Sequence, residues 1–363
     1  MRLTLLDRYL SKRLLFTLAK VVVALLLIVI VVDLLATRRR QIEKYDVPWR
    51  MILEYYATFA PTVLFKYQAA AVGMLLSGLI VFGRAAQDNE ITAALAGGVS
   101  LRRLVRTPLL LAMLLTVGTF FAVDTLGAAA YRRFERLDNE YFRGFSPGAR
   151  QGVSWTNLSG DWTAHIRQFN RRALTGEGVI IHSVTPELVQ DIQARRIYWD
   201  ETRGKWIIED GRWFAFDRAA QLERTTRITQ IPAPFAEPPD RLFALDESPD
   251  GKSAAALRRD LRLAGGLGMP VQAQWVDYHA KFAQPALLFI MLLLAVPFAL
   301  RVRRGGVAIS FGLSIAIGLA YILLFFIATG LGHLQQLPPP VAAWLPSALF
   351  LGLGAYLFRK TPT

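Results

Sequence analysis

Basic side chains are the residues of this sequence whose types and spacing most clearly suggest chemistry. Arg38, Arg39 and Arg40 follow one another directly after a long apolar run, and Lys44 lies four residues further on. Because a guanidinium group presents paired N–H donors in one plane, such a cluster suits the oxygens of a phosphate group. Lys66 lies in a second apolar run, where it must extend to the membrane surface or face a polar cavity. The cluster predicts an anion-binding site, either for phospholipid headgroups in general or for one phosphorylated ligand.

Groups that would support catalysis are sparse. The segment DGKS at 250–253 ends like a phosphate-binding loop, but Asp246 occupies the place of its first glycine. The chain has no cysteine, which excludes disulfides and thiolate-bound metals. Asp33 and Asp124, near the outer ends of apolar runs, are the best candidates for the acids of a membrane-embedded enzyme. Histidines, which could ligate a metal, are widely separated: His165, His182, His279 and His333. We therefore expect no metal, no cofactor and no catalytic residue in this chain.

The apolar residues, 53% of the 363, are gathered in blocks, whereas charged residues make up only 19%. A block of about 20 residues matches a hydrocarbon layer about 30 Å thick at 1.5 Å per helical residue. The first run is longer than a signal-peptide core and no A-x-A-like site follows it, so we expect it to be retained. The blocks predict six membrane spans, numbered 1 to 6: 14–36, 61–82, 107–126, 282–300, 307–331 and 341–358.

Basic residues orient these spans. With the N-terminus inside, 13 Lys and Arg residues lie in the cytoplasmic segments and five in the short outer segments, all between Arg38 and Arg50. We therefore predict that both termini are cytoplasmic and that the triple arginine lies outside. The net charge of +14 could indicate nucleic-acid binding, but no such motif is present, and membrane proteins use basic residues for topology and for anionic lipids.

The segment from 127 to 274, between spans 3 and 4, is long and hydrophilic. It begins with YRRFERLDNEYFR, which continues span 3 outward as a charged helix. From about 150 to 248, short alternating runs separated by turn residues are typical of a β-sandwich or jellyroll. DETRG after Tyr198 predicts a hairpin loop, and EDGR a second turn. We predict an α-helical membrane protein of two three-span halves, 1–126 and 275–363, with an outward-facing β domain inserted between helices 3 and 4.

The cytoplasmic loop between spans 2 and 3 reads AAQDNEITAALAGGVSLRRL. Its pattern predicts a helix from Asp88 to Leu95, a break at Gly97 and Gly98, and a new helix capped by Ser100. Such a short helix across the ends of two spans could dock into the groove of an ATPase. It could equally be a plain connector.

Several stretches, in this order, resemble the lipopolysaccharide-export permease family, the LptF/LptG proteins. LDRYLSKRL resembles the family's opening amphipathic helix, and YHAKFAQPALLFIMLLLAVPFAL resembles its fourth span. The ending LPPPVAAWLPSALFLGLGAYLFRK is closer to the LptG branch. NEITAALAGGVS resembles the family's ATPase-coupling segment, although Leu95 stands where many members carry arginine. By this resemblance the coupling residues are Glu90, Ile91, Ala94, Gly97, Gly98, Val99 and Ser100.

The resemblance implies a permease of an ABC transporter in the inner membrane of a Gram-negative bacterium, with a periplasmic β-jellyroll domain. Its partners would be a second, LptF-like permease, a homodimeric LptB-like ATPase that binds ATP and Mg, a single-span LptC-like protein and a periplasmic LptA-like bridge. Lipopolysaccharide would enter from the outer leaflet and leave through the β domain. Arg38–Arg40, Lys44 and Lys66 would then contact its phosphates. The alternatives are a membrane-embedded enzyme that modifies lipid or glycan, and a sensor, which would normally carry a cytoplasmic output domain.

Overall fold

The computed structural model describes residues 5–143, 149–156, 162–170, 173–184, 188–217, 222–235, 238, 248–266, 271–301 and 306–361. The chain divides into two compact units. We call residues 1–37, 56–131 and 272–363 the helical unit, and residues 38–55 and 132–271 the sheet unit.

Eleven α-helices occur in the described residues, and six stretches are long and apolar enough to cross a membrane, as the sequence predicted. These stretches are Leu5–Tyr45, Ala69–Gln87, Leu101–Phe142, Gln272–Leu300, Ile309–His333 and Pro339–Arg359. The helices are α1 Leu5–Val32, α2 Arg39–Tyr45, α3 Trp49–Pro61, α4 Ala69–Gln87, α5 Glu90–Ala96, α6 Leu101–Ala122, α7 Ala128–Leu137, α8 Ala254–Gly266, α9 Gln272–Arg301, α10 Gly306–His333 and α11 Pro339–Arg359.

Wider π-helical turns extend four of these helices: Asp33–Arg38 after α1, Thr62–Lys66 after α3, Val123–Gly127 after α6 and Asp138–Phe142 after α7. The second of them changes the predicted span 2, which we expected to begin at Pro61. Pro61 has no N–H to donate, and Gln68 then adopts the left-handed conformation with φ of 62°. The membrane-length helix α4 therefore begins only at Ala69.

Helices α4 and α9 form the centre of the helical unit. In each of them 72% of the most apolar 18-residue window is buried, against 0% in α1 and 6% in α6. The interior is almost entirely apolar, and one polar link is the 2.9 Å hydrogen bond between the hydroxyls of Tyr321 in α10 and Ser347 in α11. The apolar sides of α1 and α6 are left to face lipid or another protein.

The sheet unit contains six antiparallel strands in the order of the sequence, each paired with the next. They are β1 Ala149–Thr156, β2 Thr163–Asn170, β3 Thr175–Val184, β4 Leu188–Asp200, β5 Lys205–Asp217 and β6 Leu222–Pro232. The described strands form an open sheet that is not closed into a barrel. Together with the six apolar helices, this sheet inserted between the third and fourth membrane-length helices confirms the predicted fold class.

One face of the sheet is apolar. Apolar side chains alternate with polar ones along each strand, and the pairing of the strands aligns the apolar ones on the same side. Ile166, Val179 and Ala194 are paired in one row and are all buried, and the largest side chain of this core is Trp206. The predicted DETRG loop is confirmed, since Glu201–Gly204 form the turn between β4 and β5. The Asp200 carboxylate accepts hydrogen bonds from the Thr202 and Arg203 backbone N–H groups, which lowers the pKa of Asp200, with the Thr202 hydroxyl as the largest cause.

The second predicted turn, EDGR, is wrong. Strand β5 runs through it without reversing, from Lys205 to Asp217. Asp210 has φ of 53°, and the pairing resumes between Gly211 and Ala194. The facing residues Arg195 and Asp210 are both absent from the pairing, and the register is the same on either side of them. The Asp-Gly signal therefore marks a local irregularity inside a continuous strand and not a reversal of the chain.

Candidate functional site

Arg38 is the most enclosed of the predicted phosphate-binding residues. Its Nη1 lies 2.8 Å from Oδ1 of Asp138, and the two side chains are only 13% and 7% exposed. The guanidinium also lies over the rings of Tyr55 and Phe142, at 5.1 and 5.3 Å from their centroids. Arg143 pairs with the other oxygen of Asp138 at 2.8 Å. Arg38 thus joins the segment that follows α1 to the extension of α7 within the sheet unit, and the Asp138 carboxylate already balances its charge.

The remaining cations of the cluster lie at the surface. Arg39 pairs with Glu43 one helical turn away, at 3.1 Å. The ammonium of Lys44 lies 4.8 Å from the centroid of the neighbouring Tyr45 ring. Arg40 is exposed, and no ion pair or hydrogen bond joins its side chain to the residues that the structure describes. Arg40 and Lys44 are therefore the members of the cluster most available to an anion.

Lys66 belongs to the helical unit. It ends the π-helical turn Thr62–Lys66, three residues before α4 begins, and its ammonium lies 5.3 Å from the centroid of the Tyr131 ring. The side chain is exposed. The ammonium is thus held beside an aromatic ring, and its extension to the membrane surface stays a prediction.

The predicted coupling segment forms the short helix α5, with one face against the core of the helical unit. Ile91 is buried in that core, and Ala94 and Leu95 pack partly against it. Thr92, Ala93 and the residues from Ala96 to Gly98 are exposed. A partner that touches α5 would therefore meet this small-residue face, whereas Ile91 fixes the helix to the bundle.

The end of α5 is a tight, hydrogen-bonded reversal. Gly98 has φ of 78°, its N–H donates to the Leu95 carbonyl at 3.0 Å, and the Val99 N–H donates to the Ala94 carbonyl at 3.0 Å. This is the Schellman arrangement, in which the left-handed position favours glycine. Ser100 then caps α6, as predicted, by accepting from the Arg103 N–H.

Glu90 at the start of α5 contacts the first helix, α1. The Tyr9 hydroxyl donates to Glu90 Oε1 at 3.0 Å, and Arg13 Nη1 lies 3.4 Å from Glu90 Oε2. Arg13 also donates to the Tyr9 hydroxyl at 2.9 Å. Sequence reasoning assigned Glu90 to the ATPase contact and missed Tyr9 and Arg13. Their four-residue spacing places them on one face of α1, but their partner lies 77 to 81 residues away.

A second ion pair outside the spans joins α3 to α7. Arg133 Nε donates to Glu54 Oε1 at 2.6 Å, and this hydrogen bond holds the pKa of Glu54 below its usual 4.5. Among the residues described, no group of three His, Asp or Glu side chains could hold a metal ion. Two of the histidines instead pair singly, His182 with Asp191 and His333 with Asp277.

These features define a class: a multi-pass membrane protein with two sets of three spans and an antiparallel sheet inserted between them. A comparison with protein-family models matches residues 8–360 to the family described as "Lipopolysaccharide export system permease LptF/LptG". The chain therefore belongs to that family, and the resemblance noted from its sequence is confirmed at the family level. A comparison with curated proteins gave no match. The family consists of inner-membrane transport permeases rather than of membrane-embedded enzymes.

Proposed function

We propose that this chain is a permease subunit of an ABC transporter that extracts lipopolysaccharide from the inner membrane and passes it to a periplasmic β-jellyroll bridge. The observation that carries the proposal is the extent of the family match, which runs through all six spans and the inserted sheet. ATP and Mg are bound by a separate cytoplasmic ATPase, and both termini of this chain are cytoplasmic.

Support for the ATPase contact comes from the construction of α5. The helix is held to the bundle by Ile91 and to α1 by Glu90, and it presents a face of small residues at Ala93 and Ala96. A rigid helix with a flat face can transmit a displacement, because its attachments resist bending. In this proposal Glu90 and Arg13 hold the helix in position, and the exposed face from Thr92 to Gly98 receives the ATPase.

Support for an amphiphilic substrate comes from two kinds of surface in this chain, one cationic and one apolar. Arg40 and Lys44 are exposed cations at the outer end of the first span, where the phosphates of a membrane-embedded glycolipid lie. The sheet has one apolar face, which includes Ile181 and Trp206 and suits acyl chains that must leave the membrane. A phosphorylated lipid needs both kinds of surface.

The partners follow from the same proposal. They are a second, LptF-like permease, two identical LptB-like ATPase subunits, a single-span LptC-like protein and an LptA-like bridge in the periplasm. In this proposal the chain takes the LptG side of the pair, because the C-terminal stretch from Leu337 to Lys360 resembles that branch more closely.

Affinity purification of the tagged full-length protein from its own membranes tests this function. The complex should contain an ATPase, a second permease and a single-span protein, with bound lipopolysaccharide detected by mass spectrometry. A preparation that is monodisperse and folded, yet holds neither ATPase nor glycolipid, would contradict the proposal. Gly98→Val provides the matched variant, since it should reduce the ATPase content and leave the glycolipid in place.

A further inference from the structure

The face of the sheet opposite its apolar core carries a basic groove. The groove has a volume of about 820 Å³ and is open to solvent. Three arginines line it, Arg167, Arg212 and Arg227, together with a single carboxylate, Asp210, so its charged lining has a formal net charge of +2. Both candidate sites already described lie elsewhere in the chain.

Strand register explains why the arginines share one face. Ile180, Gln193, Arg212 and Arg227 follow one another as paired residues across β3, β4, β5 and β6. The neighbouring row of Ile166, Val179 and Ala194 is buried in the core. Because successive residues of a strand point to opposite faces, the row from Ile180 to Arg227 points to the other side of the sheet. The alternation of the strands thus builds a polar, basic surface behind the apolar one.

Arg212 and Arg227 are directly opposite each other in the β5–β6 pair. Residues in such a pair have Cβ atoms about 4.5–5.5 Å apart, and like charges at this spacing repel each other. In the described part of the chain, neither guanidinium forms an ion pair. Two adjacent guanidinium groups with no carboxylate between them match the oxygens of a shared phosphate group.

Arg167 completes the groove, and Gly178 in β3 makes room for it. Gly178 has φ of 66°, and a Cβ atom at this position would lie 2.9 Å from Arg167 Nε. The missing side chain allows Arg167 to lie across β3 and into the groove. Because any other residue would be strained here and would displace Arg167, Gly178 positions the third cation.

We propose that this groove binds a phosphate group on the sugar part of the glycolipid that the sheet passes along, while the opposite face carries its acyl chains. The assignment rests on the proposed export function, because that function supplies a phosphorylated saccharide beside the sheet. An exposed, bidentate guanidinium pair suits a ligand that must bind and then leave, since water competes for the same donors.

Binding of soluble probes to the purified full-length protein in nanodiscs tests the groove directly. The principal probe is lipopolysaccharide deacylated by alkali, which keeps its phosphates and loses its acyl chains. The same oligosaccharide after dephosphorylation with hydrofluoric acid, inorganic phosphate and a polyglutamate peptide are the comparison probes. The expected result is that the phosphorylated oligosaccharide binds more tightly than all three.

Variants locate the binding. The double variant Arg212→Gln/Arg227→Gln should weaken binding of the phosphorylated oligosaccharide at least about tenfold, the loss expected from charge-assisted hydrogen bonds. Gly178→Ala should weaken it while all three arginines remain. Arg196→Gln is the matched control, because Arg196 is exposed on the same sheet but pairs with Glu209 at 3.8 Å, and it should bind within about twofold of the native protein.

Four results would overturn the assignment: unchanged binding in the double variant, an equal loss in Arg196→Gln, equal binding of the dephosphorylated probe, or binding of inorganic phosphate or polyglutamate as tight as that of the oligosaccharide. The proposed function is separable. If one of these four results is obtained but the protein still purifies with its ATPase and with intact lipopolysaccharide, only the assignment of the groove as a phosphate site is rejected. If the oligosaccharide binds through Arg212 and Arg227 but no ATPase accompanies the protein, the groove stands and the export function fails.

Discussion

The guanidinium of Arg38 lies 2.8 Å from the carboxylate of Asp138, and the aromatic rings of Tyr55 and Phe142 enclose the pair. Asp138 also forms an ion pair with Arg143, so one nearly buried carboxylate joins two cations. An arrangement of this kind holds Arg38, Tyr55 and the π-helical turn Asp138–Phe142 together within the sheet unit. It gives Arg38 a structural role, and under the proposed function its exposed neighbours bind the substrate phosphates.

Asp138→Asn should destabilise the protein by about 3 kcal/mol, because removal of one partner leaves a buried charge uncompensated. Arg38→Gln should cost less, since Asp138 keeps Arg143. Arg39→Gln is the control, and its exposed pair with Glu43 should contribute at most about 1 kcal/mol. Thermal unfolding in detergent measures all three, and equal melting temperatures for Asp138→Asn and Arg39→Gln would reject the structural role.

Charge reversal at Arg40 and Lys44 should reduce photo-crosslinking to lipopolysaccharide from a probe in the same loop, by about tenfold if two charged contacts are lost. Both side chains are exposed, so the melting temperature should stay unchanged. Arg39→Glu is the matched reversal, because Arg39 already has a carboxylate partner. If Arg39→Glu lowers crosslinking as much as the double reversal does, the arginines act as a general positive field and not as individual contacts.

Gly98→Ala should weaken the association with the ATPase, since an alanine at φ of 78° costs about 1 kcal/mol and shifts the end of α5. Glu90→Gln should act in a different way, because it loosens α5 from Arg13 without altering the exposed face. We expect it to keep the ATPase bound but to lower ATP hydrolysis stimulated by lipopolysaccharide. Co-purification and ATPase assays separate these outcomes, and complete loss of the ATPase in Glu90→Gln would show that Glu90 contacts the partner directly.

The Glu54–Arg133 pair predicts a small dependence of stability on pH. Because Arg133 depresses the pKa of folded Glu54 below 4.5, the pair contributes its full stability above about pH 4.5 and loses it as the pH falls through the lowered pKa. Both side chains are more than one third exposed, so the contribution should be at most about 1 kcal/mol. The difference in melting temperature between the native protein and Glu54→Gln should be present at pH 7 and shrink at pH 3.5. A constant difference would contradict the assignment.

The helical architecture was readable from the sequence because runs of apolar residues and their length determine membrane spans. The sheet was readable from its period of two, and the DETRG loop from its turn residues. The Asp-Gly pair at Asp210 was a misleading turn signal, because the same dipeptide also occurs inside a continuous strand. Only the unbroken register of β5 with β4 and with β6 shows that the chain does not reverse there.

The sites were less accessible to sequence reasoning, because their side chains meet across long separations. Nothing near Arg38 in the sequence indicates that Asp138, 100 residues later, neutralises it. The same holds for Glu90 and Arg13. The basic groove escaped notice because Arg167, Arg212 and Arg227 belong to three strands, and only the register places them on one face.

The central claim is that ATP hydrolysis by a partner drives lipopolysaccharide from the membrane onto the apolar face of the sheet. The most direct measurement places a photo-crosslinking residue at Ile181, in the core of that face, in the purified complex in proteoliposomes. We predict that crosslinking to lipopolysaccharide rises on addition of ATP and Mg, and that it does not rise with a non-hydrolysable analogue. Crosslinking that is absent, or equal with and without ATP, would contradict the account.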